Sequence, residues 1–361
     1  MTAPSLPNAF LGRRNIKGPF HCGVIRIGFP LDNVGVNLPT LAATVAGNIY
    51  DLGEMTGVRL LRLDLPADYA ARYPGPRRGV AGTRRLAGIG ARPVIGTIIK
   101  PNVGLAPADT ADLVRRLCAA GIDFIKDDEV MANPPHAPLA ARVAAVMRVV
   151  NAEADRLGRK VMVAFNVSDE TDAMRRHADL VANAGGTCVM ASINWVGLGG
   201  LETLHHSTEL AIHGHRNGFG MLARNPALGM DFAAYQVFCR LAGVDQLHVN
   251  GLSGKFWESD DSVAASARAC LSPIAGNDPA LPVFASGQSA ATVGKTWRAL
   301  RSIDLMFLAG GGIIGHPDGP AAGVESVRAA WEAAASGIAM EEYARRNPAL
   351  AAALARFGAT P

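Results

Sequence analysis

"PVIGTIIKPNVGLAPADTADLVRRLCAAGIDFIKDDEV", residues 93–130, holds two apolar, β-branched runs separated by one amphipathic stretch. The first run, 93–100, is stopped by Pro101; the second, 123–129, leaves a turn at Gly121. Between them Leu113, Val114, Leu117 and Cys118 recur at helical spacing. Strand, helix, strand is the step from which parallel sheets are built.

The step repeats. Further strand patterns lie at 161–168, 188–194, 210–216, 246–251, 282–287 and 305–312, with helical patterns such as 138–158 between them. Eight such units predict a (β/α)8 TIM barrel, since a doubly wound open sheet uses fewer strands. Ahead of them "CGVIRIGFP" (22–30) and "VRLLRLDLP" (58–66) read as strands flanking the helical "LPTLAATVAGNIYDL" (38–52). One βαβ unit cannot close a core alone and must pack on the barrel or on another subunit. The organisation expected is a small, truncated α+β N-terminal domain over 1–85, then a barrel with a C-terminal helix over 86–361.

Composition bounds the function. With 361 residues, 49% hydrophobic, 18% charged and a net charge of +4, the chain has ample core material. The arginines are dispersed, without a basic run or interleaved aromatics, which argues against nucleic acid and leaves room for anionic small molecules. No segment reaches the about 18 consecutive apolar residues of a membrane span. Residues 1–20 lack the apolar core of a signal peptide. The five cysteines, an odd count without metal-ligand spacing, read as reduced core thiols, and the four tryptophans read as packing residues. A cytoplasmic protein is expected.

Barrels of this kind do chemistry at the C-terminal ends of their strands. Those ends carry Lys100; Lys126, Asp128 and Glu129; Asn194; His213, His215 and Arg216; His248; Ser286; and Gly310, Gly311 and Gly312. The third strand ends in the less informative "FNVS". The run Lys126-Asp127-Asp128-Glu129 has two readings. Either the strand meets solvent, with a surface Lys126–Asp127 or Lys126–Glu129 ion pair, or it meets a metal. Lys126 and Asp128 are two apart and share one side of the strand, and Glu129 stands where the chain bends. Two hard oxygen donors suit Mg²⁺. Lys126 joins them as a ligand if its amine has taken up CO₂ to become an anionic carbamate.

The other ends fit a phosphorylated ligand. Lys100 reads as a general base or a solvated lysine, and Arg216 suits a bidentate phosphate contact. Lys255 sits in a glycine-bracketed loop able to close over a substrate. The glycines at 310–312 offer backbone N–H groups after the last strand, where barrels commonly hold phosphate.

"GTIIKPNVGL", "GIDFIKDDEV", "HGHRNG…GMDF", "LHVNGLSGK", "ASG" and "GGGIIGHPDG" resemble, in order, the barrel motifs of the RuBisCO large subunit. The resemblance runs from about Cys22 to Gly337 and is closer to RuBisCO-like proteins than to true carboxylases. It implies Lys126 as the carbamylated lysine, with Asp128 and Glu129 as the other Mg²⁺ ligands. Lys100 is implied as the base that enolises substrate, His215 as the histidine beside it, and Lys255 as the mobile-loop lysine. Arg216, His248 and Ser286 take the distal phosphate or nearby hydroxyls, and Gly310 and Gly311 the other phosphate. Asn48 matches an asparagine that one subunit lends to its partner's site, which implies a homodimer or higher homo-oligomer.

Three positions depart from the carboxylase pattern: Asn102 replaces a lysine, Phe219 a histidine and Gln288 a glycine. The first half of the family's N-terminal domain, with its cross-subunit glutamate and phosphate contacts, is expected to be missing. The resemblance therefore implies enolisation, isomerisation, decarboxylation or transcarboxylation of a phosphorylated ketose or 3-oxo sugar acid, rather than ribulose-bisphosphate carboxylation. A 3-oxo-isoapionate-4-phosphate- or methylthioribulose-phosphate-type substrate is an example. Two other readings stay open: a metal-free phosphosugar aldolase using Lys100 or Lys126 as a Schiff base, and a non-catalytic binding relative.

Overall fold

A computed structural model describes residues 22–274 and 279–358. The signal-peptide reading of residues 1–20 concerns residues outside that range. Eight parallel strands close into a barrel: β1 (Val94–Ile98), β2 (Phe124–Lys126), β3 (Met162–Asn166), β4 (Cys188–Ser192), β5 (Ala211–His215), β6 (Gln246–His248), β7 (Leu281–Phe284) and β8 (Met306–Leu308). They follow one another in chain order around the barrel, and β8 pairs back on β1 with Met306 opposite Val94.

Helices follow the strands: α1 (Pro107–Ala119), α2 (Leu139–Leu157), α3 (Thr171–Asn183), α4 (Ile193–Ser207), α5 (Phe232–Leu241), α6 (Asp260–Leu271), α7 (Ala290–Leu300) and α8 (Gly319–Ser336). Their ends follow local chemistry. Pro107 opens α1, and the left-handed Gly158 and Gly337 close α2 and α8.

The two-residue period of the strands divides the core. Val94, Phe124, Met162, Ala164, Cys188, Met190, Leu281, Val283, Met306 and Leu308 form one buried cluster, the barrel interior. Their neighbours Ile95, Ile125, Val163, Val189, Ile212, Leu247, Phe284 and Phe307 join the larger cluster shared with the helices. Gly96 is required by close packing: a Cβ there would lie 2.5 Å from Leu308 Cδ2. The helix Gly79–Ala87 spans the expected boundary between the two parts. Its first amides, those of Arg78 and Gly79, reach Asp245 Oδ1 just before β6, so it caps the N-terminal end of the barrel.

The leading segment differs from expectation. Its helix forms, at Leu38–Ala46, and buries Leu38 and Leu41 against α4 and α5. Residues 22–30 make no strand, and of 58–66 only Arg59–Leu60 pairs, in parallel, with Gly229–Met230. A strand needs a neighbour for its backbone groups, and within one chain 22–30 finds none. Val24 and Ile25 are consequently exposed. Cys22 is exposed too, unlike the four buried cysteines, so the core-thiol expectation fails for it. Trp195 and Trp257 are likewise exposed rather than packed. Among the described residues no helix is long and apolar enough to cross a membrane.

Candidate active site

β1 and β2 build the centre of the site. Their register sets Ile98 beside Lys126, so the chain leaving β1 carries Lys100 towards the chain leaving β2. Lys100 Nζ donates to Asp128 Oδ2 over 2.6 Å. Lys126 ends β2 inside the barrel mouth, 1% exposed, which rules out the surface ion pair. Its Nζ donates to the main-chain oxygen of Asp127 at 2.7 Å and stands 3.7 Å from Glu129 Oε2. Burial pushes the Lys126 amine below its ordinary range, against the opposing pull of Glu129, Asp128 and Asp127. Burial alone would raise Glu129; the charges of Lys126 and Lys100, with a backbone hydrogen bond, hold it low.

Asp127 points the other way. Its carboxylate accepts from Arg142 Nη2 at 2.9 Å and from the Asn166 amide at 3.0 Å. Arg142 also donates to the carbonyls of Met131 and Ala132 and so ties down the loop that follows the acidic run. The strand's alternation thus sorts the cluster: Lys126 and Asp128 inward, Asp127 outward as an anchor.

Asn166, in the "FNVS" ending that sequence reasoning passed over, braces this bend. Its Nδ2 donates to the carbonyls of Asp128 and Glu129 at 3.2 and 3.1 Å, and its Oδ1 accepts from Ser168 Oγ at 2.7 Å. The signal was available, since Asn166 continues the inward series Met162, Ala164.

The histidine rings meet tilted and edge-on across the mouth. His215 Nε2 is 3.6 Å from Glu129 Oε2, and its ring lies 4.3 Å from that of His248. Burial, then the Lys126 charge, lowers His215 to about 3, so its imidazole is neutral. His213 lies inside the barrel rather than on the rim: its Nδ1 donates to Gln246 Oε1 and its Nε2 meets His248 Nε2, both at 2.8 Å. Gln246 Nε2 donates to Thr83 Oγ1, which fixes the amide and leaves His213 Nε2 as an acceptor for His248. His248 is therefore committed to His213 through one nitrogen.

Arg216 is almost wholly enclosed. Its guanidinium pairs with Glu258, both side chains nearly buried, and lies 4.4 Å over the Phe232 ring. Its Nη1 is buried without a partner. Asn194 donates to the carbonyls of Arg216 and Asn217 and holds this turn rather than facing a ligand.

Lys255, Gly287, Gly311 and Gly312 line one end of a cleft of about 1260 Å³ that runs outward along α7, the end of α8 and the C-terminal residues Leu354 and Phe357. Ser286 and Gly287 take left-handed backbone at the exit of β7 (φ 72° and 81°). Gly310 opens the short helix Gly310–Ile314, and Gly311 faces open space. Asn48 is exposed and, among the described residues, makes no side-chain hydrogen bond. No group of three or more His, Cys, Asp or Glu side chains converges as a metal cluster among the described residues. The acidic donors at the mouth are two, Asp128 and Glu129, with the Lys126 amine beside them.

A closed parallel barrel whose mouth gathers two lysines, two carboxylates and neighbouring histidines defines a (β/α)8 protein with its polar side chains at the strand exits. The chain belongs to the RuBisCO large-chain family: residues 79–357 match the family of the ribulose bisphosphate carboxylase large chain, catalytic domain. It is 51% identical over 353 residues to a 3-oxo-isoapionate-4-phosphate transcarboxylase/hydrolase of Xanthobacter autotrophicus, covering 97% of this chain and 84% of that one. It is 46% identical to a 3-oxo-isoapionate-4-phosphate decarboxylase of Rhizobium etli, covering 93% of this chain and 82% of the relative. The crystal structure of a rubisco-like protein from Burkholderia fungorum superposes with a TM-score of 0.92 at 59% identity, over 98% of this chain and 88% of that one.

Proposed function

We propose that this chain is a Mg²⁺-dependent RuBisCO-like enzyme that removes or transfers the carboxylate of a phosphorylated 3-oxo sugar acid such as 3-oxo-isoapionate-4-phosphate. The observation that carries the reading is the pairing of Lys100 with Asp128 beside the buried amine of Lys126. A 3-oxo acid loses CO₂ when the C–C bond to the carboxylate breaks and its electron pair passes into the neighbouring carbonyl, leaving an enolate. A proton must then return to carbon. Lys100, half-exposed at the mouth and held at 2.6 Å by Asp128, is positioned to deliver it as an ammonium. In an enolisation the same amine would remove the proton.

The residues suit Mg²⁺ on one condition. Asp128 and Glu129 provide two hard oxygens, and burial, which lowers the pKa of Lys126, favours the neutral amine form that adds CO₂, gives up a proton and becomes an oxygen donor. Bound there, the ion would supply charge neutralisation for an oxyanion. The names of the relatives at 51% and 46% identity support the substrate class. The same neutral amine would serve a Schiff-base aldolase, which borohydride trapping with substrate distinguishes. The assembly we propose is a homodimer, since Asn48 is exposed and makes no side-chain hydrogen bond among the described residues of its own subunit.

The test is turnover of 3-oxo-isoapionate-4-phosphate with release of CO₂, alongside ribulose bisphosphate with labelled bicarbonate. CO₂ release that EDTA abolishes is expected. Fixation of label into 3-phosphoglycerate at a comparable rate would refute the reading.

A further inference from the structure

Gln288 ties the Lys255 loop to the neighbouring strand exits, and no role in the site has been given to it above. It is 2% exposed. Its Nε2 donates to the carbonyl of Leu252 at 3.2 Å and to that of Ser286 at 3.3 Å. Two carbonyls can be met only by the NH₂ end, so the amide orientation is fixed. Thr292 Oγ1, at 3.0 Å from Gln288 Oε1, holds the opposite end.

The packing around it is equally close. A Cβ on Gly251 would lie 2.0 Å from Gln288 Nε2, and a Cβ on Gly312 would lie 2.6 Å from the Gln288 carbonyl. Gly254 packs on the same seam, where a Cβ would lie 2.9 Å from the Ser286 carbonyl. The side chain thus joins the loop after β6 to the exit of β7, and the Gln288 main chain packs on Gly312 at the exit of β8.

The three elements it joins are those that line the cleft through Lys255, Gly287, Gly311 and Gly312. Lys255 itself is exposed, and its side chain makes no hydrogen bond among the described residues; its ammonium lies 5.4 Å from the Phe256 ring centre. A free lysine on a loop of glycines populates many positions, and the substrate pays for those excluded on binding. Anchoring Leu252, three residues before Lys255, narrows them in advance.

We infer that Gln288 is a positioning residue whose side chain holds the base of the Lys255 loop against the β7 exit, which itself packs on the β8 exit at Gly312, so that Lys255 and the Gly311 region face one anionic group of the substrate. The inference rests on the function proposed above for its kinetic readout, but its structural half needs no substrate.

Two variants test it, Gln288→Leu, which keeps the volume and loses the donors, and Thr292→Val, which frees the far end of the amide. Trypsin cleavage after Lys255, followed by mass spectrometry on the substrate-free protein, should quicken about tenfold in Gln288→Leu, and less in Thr292→Val. The KM for 3-oxo-isoapionate-4-phosphate should rise about tenfold, with kcat within about threefold, because Lys100 and Lys126 are untouched. Cleavage within about twofold of the parent in both variants would overturn the clamp. Faster cleavage with unchanged KM, or a fall in kcat alone, would overturn the positioning role. Should the parent protein leave this compound unchanged, the function proposed above fails while the trypsin rates still decide the clamp.

Discussion

Lys100 Nζ and Asp128 Oδ2 lie 2.6 Å apart across the adjacent exits of β1 and β2, with Lys100 41% exposed and Asp128 almost wholly buried. The pair is asymmetric: the carboxylate is fixed by the fold, while the lysine reaches in from solvent. Replacing Lys100 by Met should therefore leave the melting temperature close to the parent's. Activity should fall by about 10²- to 10⁴-fold, the usual worth of a positioned acid or base, with KM little changed. Undiminished kcat in Lys100→Met would remove it from the chemistry.

Lys126 differs because its amine is already buried and driven towards neutrality. Lys126→Ala should abolish turnover, and preincubating the parent with bicarbonate and Mg²⁺ should raise it. EDTA should remove activity from the parent. Full activity of Lys126→Ala, or of the parent in EDTA, would contradict the carbamate proposal.

The alternation of β2 was legible before any coordinates. A period of two places Phe124, Lys126 and Asp128 on one side, and the eight repeats of strand and helix set that side inside a barrel. What stayed hidden was whatever depends on a partner distant in sequence. That Arg216, read as a phosphate contact, also pairs with Glu258 from the next loop does not show in the sequence. Asn166 looks uninformative until β2 and β3 lie side by side with Lys126 opposite Ala164. The strands expected at 22–30 and 58–66 have suitable composition, but a strand exists only where another edge accepts it, and composition does not reveal that edge.

The Arg216–Glu258 pair makes a stability prediction. Both side chains are nearly buried, and Glu258 also accepts from Asn250 Nδ2 at 2.7 Å and Ser262 Oγ at 2.8 Å. Glu258→Ala would leave a buried guanidinium without its counter-charge and should cost about 3–5 kcal/mol. Chemical denaturation measures this directly. A change below about 1 kcal/mol would mean the pair is solvated, as surface ion pairs are.

His205 gives a pH dependence away from the mouth. Its ring packs against Gly243, and burial, reinforced by the charges of Arg77 and His206, lowers its pKa from 6.5 to about 4. Between these two values the unfolded chain binds a proton that the folded chain refuses, so stability falls as pH drops through that window. Below about 4 both states are protonated and this contribution to the slope ends. His205→Gln should flatten the acid side of the melting-temperature profile between pH 6.5 and about 4. A profile parallel to the parent's across that range would contradict the assignment.

Asn48 has no side-chain hydrogen bond among the described residues of its own chain, and Val24 and Ile25 stand exposed in the leading segment. Both facts have one explanation if a second copy covers the segment and receives Asn48 at its mouth. Light scattering at micromolar concentration should give a dimer. Asn48→Ala should lose most activity while keeping the parent's fold by circular dichroism. Mixing inactive Asn48→Ala with inactive Lys126→Ala, after exchange of subunits, should restore about a quarter of parent activity. Random pairing makes half of the dimers mixed, and each mixed dimer has one of its two sites intact. Restoration requires that a site draw Lys126 from one subunit and Asn48 from the other. No recovery on mixing, despite demonstrated exchange, or full activity in a monomer, would place Asn48 outside the site.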